Sequence, residues 1–169
     1  FSEEVIEDGK KKRILTLNPV DIEFYDLTVT LQTRVIFTEG SSEIEMERSV
    51  LSMSNPDAEV ELNEYMVACY GTTEYPEDMT GITLTCRGKE DKSIAYAYKC
   101  REEEEEGAAS VEAVIPHVET KVSMRSSDSS AAGYIREGYA FSPMFTLGYK
   151  SKLKDKEVVS TWLRLEKAD

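Results

Sequence analysis

One histidine, one tryptophan and three cysteines stand in 169 residues, and these scarcities exclude whole classes of chemistry. His117, the single histidine, cannot build a zinc signature alone, and Cys69, Cys86 and Cys100 are spaced too widely for a thiolate metal site. No apolar run approaches the roughly 18 residues of a membrane-spanning helix. No Asn-x-Ser/Thr acceptor occurs, because Asn18 and Asn55 precede proline and Asn63 is followed by Glu64 and Tyr65. Phosphate-binding glycine loops, nucleophile elbows and kinase motifs are missing as well. The sequence therefore assigns no catalytic residue, metal or cofactor, and it points away from an enzyme.

Positive charge is also short, with 20 basic residues against 33 acidic ones and a net charge of −13. Such a field repels phosphate backbones and anionic lipid, which excludes nucleic acid and membrane surfaces, and it favours a basic protein partner. A chain of this length buries about 70% of its unfolded surface without staples, so residues 1–169 read as one domain. Opening at Phe1 rather than Met, with three cysteines, the chain reads as extracellular after loss of a signal peptide.

What is abundant is alternation. In the stretch from Asp21 to Thr38, the side chains of Tyr25, Leu27, Val29, Leu31, Val35 and Phe37 share one face. Asp26, Thr28, Thr30, Gln32 and Arg34 share the other, the pattern of a half-buried strand. Ile22 and Phe24 are out of phase with it, which predicts a bulge near Tyr25. A Gly-Ser turn then leads to a hairpin partner, where Ile44 and Met46 alternate with Glu43, Glu45 and Glu47. Those three glutamates are expected to face water and guard an edge.

Phe1 to Arg13 reads as a mobile terminus and a turn, acidic up to Asp8 and basic after Gly9. Residues 55–70 carry a helix signal: Asn55 as cap, Pro56 at the first position, acids in the first turn, and Leu62, Tyr65, Met66 and Cys69 at helical spacing up to Gly71. The competing strand would bury Glu64, so a short helix is expected there. Tyr75 to Asp78 reads as loop.

Two runs around Gly88 to Lys92 form a hairpin that sets Cys86 opposite Ile94. Cys100 then lies about 20 Å along the strand, beyond the Cα separation of about 7 Å that a disulfide tolerates. Cys69 is therefore the expected partner of one of the other two. Glu102, Glu103, Glu104, Glu105 and Glu106 form a self-repelling run expected to be a solvated loop. Pro116 breaks the phase between Val111 to Ile115 and Val118 to Met124, which predicts a bulge or an edge.

Ile135, Tyr139, Phe141, Phe145, Leu147 and Tyr149 keep one parity across Pro143 and read as core. The same row suits the lining of an apolar cavity. Some eight or nine strands with at most one helix predict an antiparallel β-sandwich, with a closed barrel as the alternative. The Gly-x-Trp opening of lipocalin barrels is missing. The function expected from these features is a secreted interaction module engaging a basic protein through Glu102 to Glu106 and Glu43, Glu45 and Glu47. The alternative is a carrier holding an apolar small molecule against Tyr139, Phe141, Phe145 and Tyr149.

Overall fold

Alternating sequence becomes strand almost everywhere. The computed structural model describes residues 1–69, 81–97, 99–139 and 142–168, with the side chains of 69, 139, 142 and 143 outside that description. Among the described residues fourteen strands form two antiparallel sheets, one of ten strands and one of four. Both sheets are open at their edges, so the architecture is the sandwich and not the closed barrel. The chain divides into two compact units, residues 1–62 with 152–163 and residues 63–151 with 164–169.

In the first unit, β1 (Ser2–Glu7), β2 (Lys10–Thr16), β3 (Val20–Phe24), β4 (Leu27–Thr38) and β5 (Glu43–Met53) build one antiparallel set. Phe1 to Arg13 is thus a hairpin and not a loose terminus. Asp8 and Gly9 both take positive φ, 51° and 75°, the turn that Asp-Gly favours because it matches strand twist. The long stretch from Asp21 is two strands. Tyr25, at φ 51°, starts a tight reversal between Phe24 and Leu27, which pair directly. The phase break is that turn, and the bulge lies instead in the β4–β5 ladder next to Leu31.

The core of this unit is Val29, Val50 and Met53 with Leu153 and Val159, against which Leu27, Leu31, Val60 and Leu62 pack. Leu153 ends β13 (Ser142–Leu153), and Val159 belongs to β14 (Val158–Lys167). Residues 55–70 correct the helix expectation. Asn55 closes a turn, its side chain accepting from the Asp57 amide at 3.1 Å, and β6 (Val60–Cys69) then pairs with β13. Glu64 is indeed buried. The ladder to β13 and the burial of Val60 and Leu62 outweigh a local helix signal that has no packing partner of its own. Gly71 and Tyr75 to Asp78 lie outside the described residues.

In the second unit, β7 (Thr83–Arg87), β8 (Lys92–Ala95), β10 (Ser110–Ile115) and β11 (Thr120–Ser126) face β9 (Glu102–Glu106), β12 (Ala132–Tyr139) and the body of β13. The hairpin expected around Gly88 forms, but its register sets Leu84 against Ile94 and Cys86 against Lys92. Pro116 opens a single 3-10 turn, Pro116–Val118, that joins β10 to β11. The phase change there is a hairpin connection and not a bulge. Ile82, Leu84, Val111 and Ala113 are fully buried on one side, and Ile135, Phe145 and Leu147 on the other. Gly133 allows the close approach: a Cβ there would stand 2.7 Å from the Cys86 sulfur and 2.6 Å from the Ala108 methyl.

One carboxylate shares that interior. Glu137 is fully buried and accepts from Arg101 Nε at 2.5 Å, from the Ala97 amide at 2.5 Å and from the Lys99 amide at 3.2 Å. Burial pushes its carboxyl up, but the Arg101 guanidinium and the two amides together outweigh burial and hold it below the usual range. Because its folded pKa is depressed, the stability it contributes is present above its unfolded pKa of about 4.3. That contribution is lost as pH falls through the folded value. Glu137→Gln is expected to cost about 1–3 kcal/mol at pH 7 and to flatten the acid limb of the stability profile. Urea unfolding at neutral and acidic pH reads both, and an unchanged acid limb would count against this role.

Candidate functional site

The run Lys10-Lys11-Lys12-Arg13 occupies a strand, so its side chains divide between two faces. Lys11 and Arg13 join Ser2 and Glu4 of β1, Leu15 of β2 and Phe37 of β4 around a groove of about 600 Å³, within the range of small-molecule sites. The cross-strand register makes this inevitable, since Glu4 pairs with Arg13, and Arg13 with Phe37. Glu4 accepts from Arg13 at 2.7 Å on one oxygen and from Lys11 at 2.8 Å on the other. The Lys11 ammonium first, and then the Arg13 guanidinium, hold the Glu4 carboxyl below its ordinary value. Phe37 is 39% exposed, an aromatic ring left open to the groove. Carboxylate, two cations and a ring thus converge on one concavity.

Lys12 faces the other way. It reaches Glu7 at 2.5 Å, while Arg34 reaches Glu47 at 2.9 Å and the Ser160 hydroxyl donates to Glu45 at 2.8 Å. Glu7 and then Glu45 hold the Lys12 ammonium above its ordinary value, against the opposing effect of burial. This corrects the picture of Glu43, Glu45 and Glu47 as a wet, edge-guarding stripe. β5 lies between β4 and β14, and all three glutamates are half-buried. Glu45 and Glu47 have partners within the sheet face, Ser160 and Arg34.

The five-glutamate run is a strand as well. Glu102 to Glu106 pair residue by residue with Arg136 to Ala132, at the edge of the four-stranded sheet. Self-repulsion fails to unravel the run because basic and hydroxyl groups across the ladder absorb it. Tyr134 donates to Glu102 at 2.9 Å, Arg136 lies 3.7 Å from the same carboxylate, and Lys150 bonds Glu104. Glu105 accepts from the Glu90 amide at 3.4 Å.

Of the aromatic row, Phe145 and Tyr149 are core. Tyr149 donates to the carbonyls of Ala108 and Met124 at 3.2 and 3.4 Å, and burial drives its phenol well up. The Tyr139 side chain and Phe141 lie outside the described residues. His117 sits on the exposed 3-10 turn of the second unit. Cys86 and Cys100 are free thiols. Neither forms the disulfide expected with Cys69, whose side chain is outside the description.

No protein-family model and no curated protein sequence matches this chain. Solved structures do match. A putative aldose 1-epimerase from Escherichia coli K12 superposes with a TM-score of 0.58 at 10% identity, over 98% of this chain and 68% of that one. A galactose mutarotase related enzyme from Lactobacillus acidophilus gives 0.57 at 10% identity, over 99% and 72%. A galactose mutarotase-like protein from Lactobacillus casei gives 0.52 at 9% identity, over 98% and 72%. The fold is the galactose mutarotase-like β-sandwich. The chain spans about two thirds to three quarters of the length of those structures.

The likeness overturns the expected secreted protein-binding module, because the structures that share the fold are described as a putative aldose 1-epimerase, a galactose mutarotase related enzyme and a galactose mutarotase-like protein. Sequence reasoning missed the groove, whose cue was the juxtaposition of an acidic and a basic half around Asp8-Gly9.

The two described thiols make a direct check. Burial first, and then the negative field of Glu105, push the Cys86 thiol up to about 11, whereas Cys100 is exposed. Because the thiolate is the reactive form, a short iodoacetamide pulse at pH 8 is expected to label Cys100 in the native protein. Cys86 should be labelled only after denaturation. Peptide mass mapping reads the difference, and equal labelling of the two would refute the packing described.

Proposed function

We propose that this chain binds an aldose-sized sugar in the groove over β1, β2 and β4. The observation that carries the reading is the open ring of Phe37 beside a carboxylate clamped by two cations in a space of about 600 Å³. A pyranose has an apolar C–H face that packs on an aromatic ring, and neighbouring hydroxyls that both donate and accept. Glu4 accepts from such hydroxyls and Arg13 donates to them, so one ligand satisfies both. Support also comes from the structures that share the fold, described as a putative aldose 1-epimerase, a galactose mutarotase related enzyme and a galactose mutarotase-like protein.

A second reading adds chemistry at the same place. The Glu4 carboxylate and the Lys11 ammonium, 2.8 Å apart, supply one base and one acid. Interconversion of anomers needs a base to take the proton of the C1 hydroxyl and an acid to give a proton to the ring oxygen. The C1–O5 bond then breaks to the open aldehyde, which rotates and recloses on its other face while the protons return. Glu4 is ionised at neutral pH, as a base must be, but its depressed pKa makes it a weak one.

Titration with D-galactose and D-glucose followed by NMR tests the binding. Resonance shifts are expected in residues 2–15 and 37–39. Phe37→Ala and Glu4→Gln are each expected to weaken affinity about tenfold. Binding untouched by both substitutions would sink the reading. Acceleration of α-to-β equilibration that is lost in Glu4→Gln would support the anomerisation step, and failure to accelerate it in the intact chain would remove that step alone.

A further inference from the structure

The outer face of the four-stranded sheet carries a second arrangement, unrelated to the groove. Along β12 and its neighbours, even-numbered side chains point away from the core. The registers place Tyr134 between Glu104 and Gly148, and Arg136 between Glu102 and Thr146. Gly148 has no side chain, and the ring of Tyr65 from β6 takes that space. A Cβ at Gly148 would meet the Tyr65 ring at 2.2 Å and the Glu64 carbonyl at 2.4 Å.

The Tyr65 ring leans on that of Tyr134, their centroids 5.2 Å apart and their planes at 41°. Lys150 stands 4.9 Å over the Tyr134 centroid. Tyr134 is buried beneath this cover, but Tyr65 remains 42% exposed. Its hydroxyl bonds the Asn63 side chain at 3.2 Å, and Val67, two residues on, is exposed too. Beside this aromatic shelf, two cations are set against two carboxylates, Lys150 on Glu104 and Arg136 on Glu102.

We infer that this face is a binding platform for a neutral, extended oligosaccharide. Three outward carboxylates of β9, Glu102, Glu104 and Glu106, stand against the two cations Arg136 and Lys150, so a polyanion gains no electrostatic advantage, and the two ion pairs leave a polycation little to claim. A polyhydroxylated chain, in contrast, finds an apolar shelf for the C–H face of one residue. It also finds donors and acceptors for hydroxyls on both sides. Tyr65 and Val67 of β6 and Glu102 and Glu104 of β9 are exposed on the two outer strands of this sheet, a span across strands that suits a chain, whereas the groove of the first unit suits a single ring. The platform does not depend on the groove binding sugar.

The test uses the whole chain and soluble hexasaccharides: β-1,4-linked glucose, α-1,4-linked glucose and β-1,4-linked N-acetylglucosamine. At least one is expected to bind and to shift backbone resonances of residues 63–67, 132–136 and 148–150. Tyr65→Ala should weaken that binding at least tenfold, while Tyr65→Phe keeps it within about threefold, since the ring and not the hydroxyl forms the shelf. The wild-type shift map stands even where a variant folds poorly. Shifts confined to residues 2–15 and 37–39, a hexasaccharide affinity indifferent to Tyr65→Ala, no binding by any of the three, or tighter binding of pentalysine or a heparin fragment would each overturn the inference.

Discussion

Successive side chains of a β-strand point to opposite faces, and this constraint organises nearly everything in the protein. It sends Lys11 and Arg13 to the groove and Lys12 to Glu7, and it separates Glu102 and Glu104, which face the platform, from the half-buried Glu105, which reaches the Glu90 amide. In β4, odd positions from Leu27 to Leu31 pack into the core of the first unit, and farther along the same row Phe37 emerges into the groove. One periodic row thus serves packing at one end and exposure at the other.

Charge is handled locally. The chain is strongly acidic overall, yet cross-strand pairing gives most of the described acidic clusters a cation or an amide. Glu4 has Lys11 and Arg13, Glu47 has Arg34, Glu104 has Lys150, and Glu137 has Arg101. Exposed pairs of this kind contribute at most about 1 kcal/mol each, so their effect is on register and orientation more than on stability. Glu137 differs because it is buried, and loss of its partner would leave a charge without solvent.

Several features were legible from residues alone. Alternation announced β4, β5, β7 and the buried residues Phe145, Leu147 and Tyr149, and with them an antiparallel sandwich. The helix at 55–70 failed because capping and spacing are local signals, whereas β6 exists through its ladder to β13. The glutamate run failed for a related reason. Repulsion within five residues is visible in sequence, but Tyr134, Arg136 and Lys150, which relieve it, are brought alongside only by folding. The hairpin at the start was within reach, since Asp8-Gly9 between charged runs of opposite sign is itself a turn signal.

Composition, charge and period-two alternation determined by themselves that the chain is β-rich and has no apolar segment long enough to span a membrane as a helix, because these depend on residue identity and nearest neighbours. The groove and the aromatic platform were decided by the tertiary structure. Each joins side chains from three or four strands, and which residues stand side by side depends on register. Register is set by turns such as Asp8-Gly9 and by close approaches at Gly133 and Gly148. It is a property of pairs of distant segments, and no single stretch of the sequence carries it.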